Sequence, residues 1–242
     1  MKPHPSSFRD PLGFMFEQDG VLMTGFNLHH LLTHSSGIPD TYVVDMSIPL
    51  AEWAPYLRYL SLNAEPGDFW NYANPNFSLA GLVVEKVSGV PYAEYMADHV
   101  WGPAGMTSAT LDYTAVITRG NHATGFDPAT RTEYPPQYWS YPALAPAGTA
   151  FATPSDMVRW ASLLMAGGGG VLSPASIAAM QTRQMTTDQL PWLDYGYGIF
   201  VWDYVDATDA MQHLTVYEHG GNLPGWSAQL YWVPERRMAV TP

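Results

Sequence analysis

Cysteine is absent from this sequence of 242 residues, and lysine occurs only as Lys2 and Lys86. The lack of cysteine excludes disulfides, thiolate metal sites and a cysteine nucleophile. The net charge of −12 would repel a phosphate backbone, so we expect no nucleic-acid partner. No run of about 18 apolar residues occurs, so the sequence predicts no membrane span. Residues 1–10 lack the apolar core of a signal peptide, which leaves the compartment open.

The amino-acid composition indicates a globular protein. Hydrophobic residues make up 47% of the chain and charged residues 13%, which is typical of a chain that buries a core. Its length suits one sizeable domain or two small ones. Residues 1–26 show no strong periodicity, and we expect them to be irregular.

The clearest helical pattern lies within residues 71–90. Apolar side chains from Phe77 to Val87 recur at helical spacing and predict an amphipathic helix that ends at Gly89. Asn74 is a good N-cap residue, and Pro75 suits the first turn. Tyr72 and Asn74 would then lie beside unpaired N–H groups, where they could serve chemistry. The alternative is a helix cap with a half-buried tyrosine.

Other patterns complete the expected secondary structure. Further helices are predicted within 27–40, 49–63 and 91–100, from Met157 to Leu164, and from Ser173 to about Gln181. Strands are predicted over 195–202, 213–218, 227–233 and 238–241. The loop-rich residues 107–150 carry several aromatic side chains and are expected to form a lid or a cleft wall.

Two short features suggest chemistry without establishing it. His30 and His34 have a spacing that can place two imidazoles on one metal, but no third ligand is evident, so capping of a turn is preferred. We expect no metal or cofactor. Gly220, Gly221 and Gly225 lie in a predicted loop from Glu218 to Trp226. Such a loop could present free N–H groups to a ligand, as in an oxyanion hole, or could be an ordinary hairpin.

The order of the short motifs carries more information than any one of them. The series comprises residues 31–40 (Leu-Leu-Thr-His-Ser-Ser-Gly-Ile-Pro-Asp), Tyr72-Ala73-Asn74, residues 148–156, residues 195–198 and His219-Gly220-Gly221. It resembles the serine β-lactamase, penicillin-binding-protein and esterase superfamily, in particular the class C β-lactamase and family VIII esterase-like branch. The resemblance covers nearly the whole chain from about residue 26.

The resemblance implies an α+β fold of the β-lactamase/transpeptidase type. An antiparallel sheet would be flanked by helices and joined by a helical, loop-rich subdomain. Residues from about 26 to 150 would form the helical and loop-rich part, and residues from about 151 to 242 the helices and strands of the sheet part. The chain would be a partial domain, truncated at both ends, because the family builds its central sheet from both chain termini.

The resemblance also implies roles for individual residues. Tyr72 matches the tyrosine that handles the proton of the nucleophile, and Asn74 matches the asparagine that binds the acyl side chain and the catalytic lysine. His219, Gly220 and Gly221 match the triplet that edges the cleft and orients the substrate or the tyrosine. The N–H of Asn222 matches half of the oxyanion hole.

One departure from the family pattern is decisive for activity. The family's nucleophile lies in a Ser-x-x-Lys motif, and this sequence contains none, since Val83 stands three residues before Lys86. Without that lysine, a tyrosine with an ordinary pKa of about 10 has little reason to ionise near neutral pH.

Three interpretations follow. The first is part of an acyl hydrolase for β-lactam, ester or D-amino-acid peptide bonds, expected to be inactive without its nucleophile segment. The second is a non-catalytic relative that binds a peptidoglycan-like or ester ligand. The third uses Ser35 or Ser36 as the nucleophile, which is disfavoured because adjacent helical residues point apart and His34 would not reach them. We favour the first. The substrate within these classes and the oligomeric state stay open.

Overall fold

The computed structural model describes residues 25–42, 45–205 and 213–241. These residues form short helices, one six-stranded antiparallel sheet and a separate two-stranded hairpin, which is the expected α+β class. The irregular segment expected over residues 1–26 lies outside the described residues, apart from Gly25 and Phe26. Within these ranges, no helix has the length and apolar character that crossing a membrane requires.

The described residues contain α-helices and shorter helical turns. The α-helices are α1 (Leu28–Leu32), α2 (Leu50–Trp53), α3 (Asn74–Ser88), α4 (Tyr92–Tyr95), α5 (Tyr113–Arg119), α6 (Pro154–Met165) and α7 (Pro174–Gln181). The 3-10 turns are Ala54–Tyr59, Pro136–Trp139, Pro142–Leu144 and Pro234–Arg236, and Met96–Trp101 is π-helical.

Helix α3 is the organising element of the helical part. Leu79, Leu82 and Val83 on its inner face are buried, and burial stabilises each by roughly 1.5–3 kcal/mol. They pack in one core with residues of α1, α2 and the 3-10 turn after α2. Gly89 ends the helix at φ 72°, in the left-handed conformation that glycine adopts without strain, as the sequence predicts.

One helix prediction needs correction, and a second segment is helical as expected but changes its helix type. The helix expected over 49–63 is α-helical only to Trp53 and continues as a 3-10 turn to Tyr59, because Pro55 has no N–H to bond within an α-helix. The segment expected over 91–100 changes from α-helix to π-helix at Met96. Helix α7 begins at Pro174 with Ser173 as its cap, in agreement with the prediction, whereas α6 begins at Pro154, three residues before Met157, with the side chain of Thr153 as its cap.

The main sheet has the strand order β3-β4-β5-β6-β7-β8, with every neighbouring pair antiparallel. Its strands are β3 (Met185–Thr186), β4 (Leu193–Tyr195), β5 (Phe200–Val205), β6 (His213–Leu223), β7 (Trp226–Val233) and β8 (Met238–Val240). Leu230 and Trp232 of β7 join residues of α6 and α7 in a second core.

The strand expected over 195–202 is interrupted, and the interruption is a turn. Gly196 donates its N–H to the carbonyl of Ile199 at 2.7 Å, and Gly198 has φ 72°. A Cβ on Gly196 would lie 2.1 Å from the carbonyl oxygen of Met180, so only glycine fits against the end of α7. Gly198 donates to the carbonyl of Leu32 at 3.1 Å, which ties this turn to the end of α1.

The predicted loop from Glu218 to Trp226 is too long. Strand β6 continues through His219 to Leu223, and only Pro224-Gly225 turns the chain into β7. Gly225 has φ 75°, which suits the second central position of a type II turn after proline. The glycines that suggested a loop are therefore strand residues, and Gly220 and Gly221 pair with Gln229 and Ala228 of β7.

The segment 107–150 is not entirely loop. It contains α5, two 3-10 turns and a hairpin of strands β1 (Gly125–Asp127) and β2 (Thr132–Tyr134). This hairpin contacts the β6–β7 turn, because Phe126 donates its N–H to the carbonyl of Gly225 at 3.0 Å and the indole of Trp226 donates to the carbonyl of Tyr134 at 2.9 Å.

Candidate active site

Tyr72 and His219 lie side by side where the helical part meets the sheet. Tyr72 is two residues before α3, and His219 is on β6. Their ring centroids are 6.3 Å apart. The ring of His34 is also a neighbour of Tyr72, and the centroids of these two rings are 4.2 Å apart. The structure thus brings together two residues that the sequence places in separate motifs.

His34 and Asp40 accept hydrogen bonds from the backbone on both sides of Tyr72. The carbonyl of His34 accepts the N–H of Asn71 at 2.7 Å, and its Nδ1 accepts the N–H of Ala73 at 3.1 Å. Asp40 Oδ1 accepts the N–H of Asn74 at 2.8 Å. Because these bonds flank Tyr72 on both sides, its backbone position is fixed by the motif that precedes it in the sequence.

Asn74 is not the cap that the sequence predicts. Ala73 occupies the N-cap position without a side-chain bond, and Asn74 is the first helical residue. Its side-chain amide donates to Asp40 at 3.3 Å. Asp40 therefore supplies the carboxylate that stabilises the start of α3, where an anion interacts favourably with the helix dipole. The binding role that the resemblance gives to Asn74 stays a prediction.

The His34 side chain is almost completely buried and neutral. Its Nδ1 accepts from the backbone of Ala73, which can only donate, so the proton of the neutral ring is on Nε2. Burial, followed by the nearby His219, lowers the pKa of His34 from its ordinary 6.5 to about 3. Its Nε2 has no hydrogen-bond partner among the described residues.

His219 has the opposite tautomer. Its Nδ1 lies 2.7 Å from the carbonyl oxygen of Gly220, so it must carry the proton and donate. Its Nε2 then accepts the hydroxyl of Tyr195 at 3.1 Å. Burial lowers the pKa of His219, and the Gly220 carbonyl opposes that change. Both ring nitrogens are occupied inside the protein, so the ring is held firmly in one orientation.

The tyrosines of the site are phenols, not phenolates. Burial, followed by the negative charge of Asp40, raises the pKa of Tyr72 above its ordinary value. Burial raises the pKa of Tyr195 still further, with Tyr72 a smaller cause. Lys86 is in the last turn of α3, about 18 Å along the helix from Asn74, too far to offset these effects.

The far end of β6 offers an open edge beside His219. The pairing of β5 with β6 ends at Phe200 opposite Glu218, whereas β6 continues to Leu223 with β7 as its strand partner. Gly221 and Asn222 are exposed on this extension. No strand among the described residues covers its other side, so alternate backbone N–H groups there are available to a ligand.

The other candidate residues do not assemble into sites. Ser35 and Ser36 are 1% and 0% exposed, and both hydroxyls bond within the protein. His30 belongs to the capping box of α1, as the turn-capping interpretation expects, while His34 faces the aromatic rings. In the part of the chain that the structure describes, no group of three or more acidic, histidine or cysteine residues could hold a metal.

Sequence reasoning missed the residues that support the site. Asn76, Tyr195 and Asp40 make its main side-chain bonds, and Trp70 packs 6.0 Å from the ring of Tyr72. Each belongs to or adjoins one of the motifs of the ordered series. Their partners lie far away in the chain, and no local pattern signals such contacts.

Comparison with known proteins agrees with the fold. Residues 24–241 match the Beta-lactamase family, so the chain belongs to that family. Its wider class is the serine β-lactamase and penicillin-binding-protein superfamily, and the resemblance seen in the sequence is confirmed.

Individual relatives are distant. The unguisins hydrolase of Aspergillus campestris is 24% identical over 95% of this chain and 45% of its own length. The D-aminopeptidase of Gluconobacter oxydans is 24% identical over 87% of this chain and 40% of its own length. The crystal structure of a penicillin-binding protein from Bacillus halodurans has a TM-score of 0.76 at 25% identity, covering 97% of this chain and 73% of that one. The chain thus spans less than half the length of the two enzymes.

Proposed function

We propose that this chain supplies the substrate-binding side of a serine acyl hydrolase, which acts on β-lactam, ester or D-amino-acid peptide bonds through an acyl-enzyme. The observation that carries the proposal is the placement of Tyr72 beside His219, next to the open edge of β6. Relatives named as a hydrolase and a D-aminopeptidase support the same reaction class.

The proposed roles divide between proton transfer and oxyanion binding. Tyr72 exchanges the proton of the nucleophile, and Asn74 contacts the acyl group. The edge of β6 at Gly220, Gly221 and Asn222 borders the substrate, and the backbone N–H of the exposed Asn222 donates to the developing oxyanion, which preorganised donors stabilise well. Both ring nitrogens of His219 form hydrogen bonds within the protein, so His219 holds the edge of β6 in a fixed position relative to Tyr72.

Within these 242 residues the reaction lacks a nucleophile. The raised pKa of Tyr72 also makes it a poor proton acceptor without a nearby cation. A Ser-x-x-Lys segment would supply both the serine and an ammonium group that favours the phenolate. We therefore expect the 242-residue chain to bind acyl substrates without being acylated.

The test begins with the coding DNA in frame upstream of Met1. If it encodes a Ser-x-x-Lys motif, the longer protein and the 242-residue chain are each incubated with a penicillin, an activated ester and a D-amino-acid amide. We expect a stoichiometric mass adduct on the longer protein only, and its loss in a serine-to-alanine variant. A serine adduct on the short chain would contradict the proposal.

The second candidate function is ligand binding without catalysis. It is favoured by the absence of Ser-x-x-Lys together with the raised pKa of Tyr72. If no such motif is encoded upstream, this function remains. Its test is a backbone amide NMR titration with a D-alanyl peptide, where shifts at Asn74 and Asn222 that vanish in Tyr72→Ala would support it and the absence of shifts would contradict it.

A further inference from the structure

The buried histidine of the Leu-Leu-Thr-His motif has contacts that the proposed function does not use. The His34 side chain is 1% exposed, and its ring lies against Trp70, Tyr72, Phe77 and Tyr195. Burying a polar ring among aromatic side chains costs free energy unless the ring forms hydrogen bonds, so the bonds of His34 need an explanation.

The bonds to His34 form a chain with one fixed direction. The N–H of Ile38 donates to Ser36 Oγ at 3.1 Å, so the hydroxyl proton is free to be donated to Asn76 Oδ1 at 2.5 Å. Because His34 Nδ1 already accepts the N–H of Ala73 and carries no proton, the Asn76 amide must present its nitrogen to Nδ1, at 3.1 Å, and its oxygen to Ser36. Every donor in this chain is determined, and the imidazole Nδ1 is the final acceptor.

The same acceptor also holds the Tyr-x-Asn motif. Nδ1 of His34 receives the N–H of Ala73, the residue between Tyr72 and Asn74, while the His34 ring lies 4.2 Å from the Tyr72 ring. The His34 backbone contributes a third contact through Asn71. One residue therefore fixes the backbone on both sides of the phenol and one face of its ring.

We infer that His34 is a positioning residue for Tyr72, acting as a neutral imidazole whose Nδ1 accepts from Ala73 and Asn76 and whose ring supports the phenol. The role rests on the proposed function of Tyr72. His34 itself is too deeply buried to touch a substrate. It orients the group that does, and the directed chain from Ser36 and Asn76 keeps its lone pair aimed at the motif.

The backbone of His34 offers a matched pair of variants. Its φ is 54°, a left-handed conformation that asparagine tolerates better than most residues. In His34→Asn an amide oxygen can replace Nδ1 as acceptor, without the ring. In His34→Phe the ring contact with Tyr72 remains, but the amides of Ala73 and Asn76 lose their acceptor. Leu164→Ala in the second core, where Leu164 is 2% exposed, controls for general destabilisation.

The first measurement determines the tautomers of His34 and His219, and it uses variants only to assign the signals. Long-range ¹H–¹⁵N spectra of the histidine-labelled chain, assigned with His34→Asn and His219→Asn, should show the Nε2–H tautomer for His34 and the Nδ1–H tautomer for His219. An Nδ1–H tautomer at His34 would overturn the inference.

The second measurement separates positioning from packing. Hydrogen exchange at the amide of Ala73 should accelerate about tenfold or more in His34→Phe, with a shifted Tyr72 ring signal, and should be largely restored in His34→Asn. Leu164→Ala should leave the Tyr72 signal in place. If His34→Phe folds and changes neither readout, His34 is an ordinary core residue. These spectra use no substrate, so failure of acylation or binding tests the proposed function alone.

Discussion

The hydroxyl of Tyr195 donates to Nε2 of His219 at 3.1 Å and connects two strands at the edge of the candidate cleft. Tyr195 ends β4, and His219 lies on β6, so the bond passes across the intervening end of β5. The Tyr195 side chain is 0% exposed. A buried donor and a half-buried acceptor thus satisfy each other, and the orientation of His219 depends on a residue that contacts no solvent.

Replacing Tyr195 by Phe should destabilise the protein by about 0.5–1.5 kcal/mol, because Nε2 of the half-buried His219 would lose its hydrogen-bond donor. The Nε2 signal of His219 should shift at the same time. Urea denaturation and histidine NMR measure the two effects. Tyr59→Phe is a suitable control, since Tyr59 is 67% exposed. Equal stabilities of the two variants would contradict the importance of this bond.

Stability should fall as the pH is lowered, and His34 should account for part of the fall. The folded-state pKa of His34 is about 3, against an ordinary 6.5. Between pH 6.5 and about pH 3, His34 is protonated in the unfolded chain and stays neutral in the folded chain. The contribution of His34 is therefore complete above pH 6.5 and is lost progressively towards pH 3. The slope is at most about 1.4 kcal/mol per pH unit for one proton.

The comparison that isolates this effect is wild type against His34→Asn, unfolded with urea at several pH values between 7 and 4.5. His219 also has a lowered pKa and contributes in the same direction, whereas Tyr72 and Tyr195 stay uncharged in this range. His34→Asn should lose the His34 part of the slope and retain the remainder. Identical slopes would show that His34 titrates normally.

The sequence predicts those parts of the molecule that depend on local rules. Gly89 ends α3, Thr153 caps α6 and Pro174 begins α7 because each residue favours one backbone conformation or one nearby bond. The ordered motifs also indicate the family. The glycines of His219-Gly220-Gly221 suggest a loop, however, since nothing local reveals that β7 will pair with them.

The same limit applies to the candidate site. The sequence identifies Tyr72 and His219 from their motifs, but it does not reveal that Asp40 caps α3 or that Asn76 bonds His34. These contacts join residues more than 30 positions apart, and their energies depend on burial that appears only after folding. The role of His34 is therefore visible in the structure alone.

Tyr72 should titrate above its ordinary pKa in the 242-residue chain. Burial is the larger cause and Asp40 the smaller, so Asp40→Asn should lower the pKa of Tyr72 only in part. The substitution retains an oxygen that can accept the N–H of Asn74. Ultraviolet difference titration at alkaline pH, with Tyr72→Phe to assign the phenol, measures the change. Ionisation of Tyr72 near pH 7 would instead mean that the chain contains its own activating group.

The hairpin β1–β2 should detach from the β6–β7 turn when Gly125 is changed to Ala. A Cβ at Gly125 would lie 2.0 Å from the indole nitrogen of Trp226, so the Trp226 side chain would have to leave its bond to the carbonyl of Tyr134. Loss of the Trp226 indole N–H signal and faster proteolysis within residues 120–150 should report the change.

Gly148→Ala is the matched control for this variant because it lies in the same segment and a Cβ there would meet nothing within 4 Å. It should leave both the indole signal and the proteolysis rate as in wild type. If Gly125→Ala behaved like this control, the turn would tolerate a side chain where the structure shows none fits. If it detaches the hairpin, the residues 107–150 are anchored to the candidate site through Trp226. A change in ligand binding in that variant would then show that this segment forms a wall of the cleft.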